Sequence, residues 1–203
     1  MRHWTIKDYR SMPWKNGGGS TTELAIYPDG TSLDDFVWRL STAQVASAGA
    51  FSHFPQIDRS LAILDGDGLV LKTDLGVPSE SVITLGKSSL PHRFSGEDAI
   101  YAELCGGVVL DLNLMTRRGV CLQHMQRLDA GEHCVYLEDA QQVLLYCAEG
   151  TAALSGLLGR ASLQTGDLLL LEEEHEDKGI QCQIQAGENS VLYLMRISFL
   201  SRS

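Results

Sequence analysis

Most of the chain consists of short apolar or alternating runs, divided at short intervals by Gly, Asp, Ser or Pro. "ELAIY" stops at Pro28-Asp29-Gly30, a strong turn signal. "FVWRLSTAQV" alternates and carries β-branched and aromatic residues, the pattern of a half-buried strand. "SLAILDGDGLVLK" reads as two strands around an Asp-Gly-Asp-Gly turn, and "AIYAEL" and "VVLDLNLM" follow with Gly106-Gly107 between them. No segment holds a 3.6-residue apolar period; "DAQQVLLYC" comes nearest to a helix, and it is short. The pattern predicts an all-β chain, folded as a sandwich or barrel.

A faint internal echo refines that picture. "LAILDGDGLVLK" (61–72) has the form of "VLLYCAEGTAALS" (143–155), an apolar strand, a glycine turn and a second strand. "ITLGKSSLPH" is echoed by "ASLQTGDLLLLEE", and "YAELCGGVVLDLNLM" by the shorter "SVLYLMRISFL". A break near Arg117-Arg118-Gly119 separates the halves. The expectation is two β-barrels of similar build, residues 1–118 and a smaller one at 119–203.

With 203 residues and a net charge of −10, the chain has room for such a pair. Its acidic field repels phosphate backbones, so nucleic acid is not an expected partner. No apolar run is long enough to span a membrane, and "MRHWTIKDYRSMPW" lacks the apolar core of a signal peptide. The five cysteines form no C-x-x-C, which suits reduced, mostly buried thiols and a cytoplasmic location.

The chemistry concentrates in three stretches. In "PWKNGGGSTTEL" (13–24) Lys15 precedes the glycines, whereas a phosphate-binding Walker loop needs it after them. Thr22 stands where a dinucleotide fingerprint needs its last glycine. A loop that requires positive φ explains one or two glycines. It says less about Trp14, Lys15, Asn16, Thr21, Thr22 and Glu23 crowded around Gly17, Gly18 and Gly19, which suit a pocket wall.

"GAFSHFPQIDRSLAILDGDG" (49–68) can be laid on the metal-binding pattern of cupins, with His53 on its first histidine. Pro55 then takes the second histidine's place and Arg59 falls near the glutamate. One imidazole cannot replace three ligands and a guanidinium repels a cation, so no metal or other cofactor is expected. An inward Arg59 would instead grip a carboxylate through two parallel hydrogen bonds. The competing reading is a salt bridge to Asp58 or another surface acid. His53 alone reads more readily as a structural histidine than as a catalyst.

In "LDLNLMTRR" (110–118), alternation puts Asp111, Asn113 and Met115 on one face and Leu112, Leu114 and Thr116 on the other. The polar face fits a small-molecule cavity or a solvent-facing strand. "SLPHRFSG" adds His92, which could transfer a proton or donate to an anion. The acids around His175 in "EEEHEDK" read as a solvated turn.

Together, "PWKNGGGSTTEL", "FVWRLSTAQV" with its Arg39, "FSHFPQIDRSLAILDGDG" and "LDLNLMTRR" resemble the HutD family, which includes the Ves proteins. The specific motifs cover roughly the first 120 residues; Gln56 departs from the glycine frequent after Phe-Pro. The resemblance implies two cupin-like (jelly-roll) barrels and a cytoplasmic small-molecule-binding protein with a regulatory role in bacterial histidine utilisation. The implied partner is a small anionic metabolite such as formylglutamate or urocanate, and a homodimer stays open. A metal-independent enzyme using His53 or His92, or a protein-interaction regulator, are the alternatives. The candidate ligand-binding set is Trp14, Lys15, Asn16, Gly17, Gly18, Thr21, Arg39, His53, Phe54, Arg59, His92, Asp111, Asn113 and Met115.

Overall fold

The structure, a computed structural model, describes residues 1–73, 81–136, 140–156, 158–172 and 181–200. Strands dominate them, and "DAQQVLLYC" contributes to a strand rather than a helix. None of the described helices is long and apolar enough to cross a membrane. Of the acids around His175, Glu172 ends a strand and the others lie outside the described residues.

The chain divides into two compact units, one of residues 9–118 and one of residues 1–8 with 119–203. Arg2–Trp4 (β1) opens the chain. The 9–118 unit then contains Arg10–Pro13 (β2), Gly19–Tyr27 (β3), Trp38–Val45 (β4), Gly49–Ala50 (β5), Ile57–Asp65 (β6), Leu69–Thr73 (β7), Ser81–Leu85 (β8), His92–Ser95 (β9), Ile100–Leu104 (β10) and Val109–Arg117 (β11). The other unit has Cys121–Tyr136 (β12), Gln142–Glu149 (β13), Thr151–Gly156 (β14), Gly159–Gln164 (β15), Leu168–Glu172 (β16) and Gln181–Phe199 (β17). Residues 1–8 were expected with the first barrel. They fall in the second unit because β1 pairs antiparallel with β16, Trp4 opposite Leu168.

In the 9–118 unit, one sheet runs β2-β3-β4-β11-β6-β9 and another β5-β10-β7-β8. The strands on either side of Asp65-Gly66-Asp67-Gly68 are present but do not form a hairpin: β6 pairs with β11 and β9, and β7 with β10 and β8. The glycines there turn the chain from one sheet into the other. Gly66 and Gly68 both have positive φ, and a Cβ on Gly66 would lie 2.5 Å from the Val108 carbonyl oxygen. Leu61, Ile63, Leu69, Leu71, Ile100 and Val109 pack together from these strands as the unit's core.

The internal echo is also visible in the pairing. Strand β6 lies between β11 and β9 as β13 lies between β17 and β16; β7 lies between β10 and β8 as β14 lies between β17 and β15. The long β17 takes the places of both β10 and β11. What differs is the filling. Where Asp111 and Asn113 stand opposite Ile63 and Leu61, Leu192 and Leu194 stand opposite Cys147 and Leu145. Those four belong to a continuous buried apolar cluster. The second unit therefore has hydrocarbon at positions where the first has polar groups.

The five cysteines are thiols; Cys121, Cys147 and Cys182 are buried, whereas Cys105 and Cys134 are exposed. Burial pushes the Cys147 thiol up to about 11, which makes it a poor nucleophile.

Candidate ligand-binding site

A cavity of about 560 Å³ opens in the 9–118 unit. Its floor is a lattice of three adjacent strands whose period of two aims alternate residues inward. Arg39 (β4), Met115 (β11) and Arg59 (β6) form one cross-strand row; Ser41, Asn113 and Leu61 form the next; Ala43, Asp111 and Ile63 the third. All but Leu61 and Ile63 line the cavity, with Trp14, Lys15, Asn16, Thr21 and Phe54 among the other walls. The opposite face of β11 does not meet solvent, since Leu112 and Leu114 are fully buried. Beside Asp111 the β11–β6 register shifts between Leu110 and Asp111, a bulge of the kind that re-aims a side chain.

The two arginines are held differently. Arg39 donates from Nε to Glu23 Oε2 at 2.8 Å, so its charge is already matched. Among the described residues Arg59 makes one long hydrogen-bond contact, Nε to Asn113 Oδ1 at 3.5 Å, which uses one of its five N–H donors. Around it lie the rings of Phe51, Phe54 and Phe94, with centroids 5.0, 5.8 and 4.9 Å from the guanidinium carbon. These rings attract the cation while accepting no ordinary hydrogen bonds. Burial lowers the Arg59 pKa to about 10, against the attraction of Asp111, and Arg39 lowers it further. The group stays cationic at neutral pH. Among the described residues no carboxylate is within ion-pair distance of it.

Asp58 is not its partner. Neighbouring residues on a strand point to opposite faces, and Asp58 turns outward to Arg93 at 3.0 Å and Arg118 at 2.8 Å. Arg118 also holds Glu97, whose carboxyl is lowered to about 2 by Arg118, Ser95 and the Gln56 amide in turn. The acid beside Arg59 in sequence is thus committed elsewhere.

Asp111 is the other charged group on the cavity floor. It is 3% exposed, and among the described residues its Oδ1 has no hydrogen-bond partner. Burial raises its pKa to about 7, opposed by Arg59 and by the Ala43 amide. The sign follows from proton counts: between about 4 and 7 the folded protein binds the extra proton. This group therefore makes stability fall as pH rises through that window. Urea unfolding of wild type and Asp111→Asn at pH 5, 6, 7 and 8 is expected to show that component of the slope only in wild type. Parallel curves would remove the raised pKa.

The glycine stretch is a tight hairpin turn with three separate steric requirements. Gly17 has φ of +72°; a Cβ on Gly18 would lie 2.6 Å from Ser47 Oγ; one on Gly19 would overlap the Gln44 carbonyl and lie 3.0 Å from the Trp14 ring. Asn16 Oδ1 accepts from the Gly18 amide, and Trp14 Nε1 donates to Thr21 Oγ1 at 2.8 Å. The glycines fix the turn, and it is their neighbours Trp14, Lys15 and Asn16 that line the cavity. Gly17 and Gly18 are not in the lining.

A family model for HutD matches residues 6–192. The chain belongs to the HutD family. A protein of Pseudomonas putida described as an uncharacterized 21.2 kDa protein in the hutC 3' region is 36% identical over 179 residues, covering 87% of this chain and 90% of that one. Protein Ves of Cronobacter sakazakii is 40% identical over 126 residues, 60% of this chain and 65% of its own length. Among solved structures, a conserved protein of unknown function from Pseudomonas aeruginosa PAO1 superposes with a TM-score of 0.86 at 30% identity, covering 97% of this chain and 98% of that one. HutD from Pseudomonas fluorescens SBW25, in a formate condition, gives 0.80 at 26%, covering 98% and 99%. Oxalate decarboxylase from Bacillus subtilis gives 0.67 at 7% over 97% of this chain and 76% of that one, a likeness of fold alone. The fold is all-β with cupin-like neighbours.

Of the residues singled out in this HutD-family sequence, ten come together on the cavity: Trp14, Lys15, Asn16, Thr21, Arg39, Phe54, Arg59, Asp111, Asn113 and Met115. His53 and His92 do not join the lining. His53 is exposed; His92 stacks on Phe94, and its pKa is lowered by burial despite Asp98. At the positions laid on the cupin metal pattern, His53 is exposed and outside the cavity lining, whereas Arg59 is part of it. Sequence reasoning missed Glu23 as the partner of Arg39, and Phe51 and Phe94 as the rings around Arg59. The density of phenylalanine in "AFSHF" was the available signal for Phe51.

Proposed function

We propose that the protein is a cytoplasmic binder of a small carboxylate, with a regulatory role in histidine utilisation. Both units are read as cupin-like barrels, the first hollow and the second filled. The observation that carries the reading is Arg59: a buried guanidinium on a cavity wall, with four of its N–H donors lacking partners among the described residues. A desolvated cation held so is complementary to a bidentate carboxylate. Three comparisons support it. The matching family is HutD, a relative is encoded in a hutC 3' region, and another was solved in a formate condition, formate being the smallest carboxylate.

An anionic intermediate such as formylglutamate or urocanate is the proposed ligand. Thermal shift followed by calorimetry with formylglutamate, urocanate and formate tests this. Saturable binding by one of the larger acids, weaker for formate, is the expected result. No binding by any of the three at millimolar concentration would overturn it.

A further inference from the structure

We infer that Asp111 is a second recognition group of the cavity, selecting carboxylates that also carry an N–H donor over carboxylates that do not. This deepens the carboxylate reading and rests on it. The charged side chains lining the cavity are Lys15, Arg39, Arg59 and Asp111, with Glu23 bonded to Arg39. Lys15 is exposed. The remaining four are two cations and two anions. Arg39 and Glu23 satisfy each other at 2.8 Å, and that leaves Arg59 and Asp111 as an opposite pair without direct contact within ion-pair distance. A plain carboxylate answers only the first of these. It also adds a second negative charge to a cavity that already contains an orphaned one.

A ligand with an N–H donor answers both. Asp111 Oδ1 is buried and unpartnered among the described residues, and such an acceptor carries its full desolvation cost until a donor reaches it. Arg59 and Asp111 sit in rows four residues apart along the sheet, Arg59 opposite Met115 and Asp111 opposite Ile63. The long arginine side chain leans across part of that span, so the complement is a small molecule with its acid at one end and its N–H toward the other. The second unit supplies a contrast. At the Asp111 place in the pairing scheme it has Leu192, which packs into hydrocarbon. An acid there in the first unit is therefore not a requirement of the fold.

The proton balance gives an independent sign. The free Asp111 titrates near neutrality, so at pH 7 a part of the molecules carry it protonated. An N–H donor favours its carboxylate and expels that proton. A second anion favours the acid and takes a proton up.

The test uses three matched pairs that differ only by N–H against CH₂. They are 3-acetamidopropanoate with 5-oxohexanoate, 4-acetamidobutanoate with 6-oxoheptanoate, and 5-acetamidopentanoate with 7-oxooctanoate. Calorimetry on the intact chain at pH 8 is expected to show at least one amide binding about tenfold tighter than its ketone. Asp111→Asn is expected to bring that ratio within about threefold while the ketones still bind. At pH 7, titrations in buffers of different ionisation enthalpy are expected to show proton uptake for the ketone and a shift toward release for its amide. Equal affinity in all three pairs, with binding still lost in Arg59→Lys, would refute the role of Asp111 and leave the carboxylate site standing. Absence of binding by all six, in a chain that unfolds cooperatively, would refute both.

Discussion

Arg59→Lys is expected to weaken binding of any carboxylate the wild type binds by about 2–5 kcal/mol, while the protein remains folded. The charge is retained, so Asp111 keeps a cation in the same cavity. What is lost is the planar fork, because an ammonium is a compact point charge that cannot present two parallel N–H groups to a carboxylate. The lysine also forfeits the ring contacts, since Phe51 and Phe94 lie 5.0 and 4.9 Å from the guanidinium carbon and pack against a flat group. Calorimetry run beside urea unfolding separates the two effects. Unchanged affinity would remove Arg59 from the binding site. A drop in stability with affinity intact would make it a structural cation held by phenyl rings.

Gly19→Ala is expected to be the most disruptive methyl that can be added to the hairpin turn, costing about 2–4 kcal/mol of stability. Its Cβ would overlap the backbone carbonyl of Gln44 on the neighbouring strand β4, where Gly19 is opposite Val45. Backbone in the middle of a sheet cannot step aside as a flexible side chain can. The same methyl would lie 3.0 Å from the Trp14 ring and push a cavity wall. Gly17→Ala is the control. Nothing lies within 4 Å of its Cβ, so the cost is only that of holding alanine at φ of +72°, about 1–2 kcal/mol. Urea midpoints of the two variants should therefore separate clearly. Equal midpoints would mean that the turn relaxes, and the steric account of the third glycine would fail.

Alternation was the most legible feature. "LDLNLMTRR" placed Asp111, Asn113 and Met115 on one face because a strand has a period of two, and those three do line the cavity. The same reasoning separates Asp58 from Arg59, although adjacency had kept a salt bridge between them open. The Gly-Asp-Gly turn was legible as a turn, yet not as a corner between two sheets, because local residues do not encode which distant strand each arm will pair with. His53 and His92 were chosen by chemical type. Type alone does not say on which side of the chain an imidazole emerges.

The sequence by itself determined the strands, their faces, the glycine turns and the family, since each depends on residues near one another or on a motif read in order. It also carried the repeat, through runs of similar form some 80 residues apart. Only the tertiary structure decided which charges are already matched. Glu23 reaches Arg39 across the β3–β4 pair, Arg118 takes Asp58 from 60 residues away, and Asp111 keeps an oxygen with no partner among the described residues. The physical reason is that a charge's role depends on its desolvation and on neighbours brought close by strand register. Both arise only when distant segments pack.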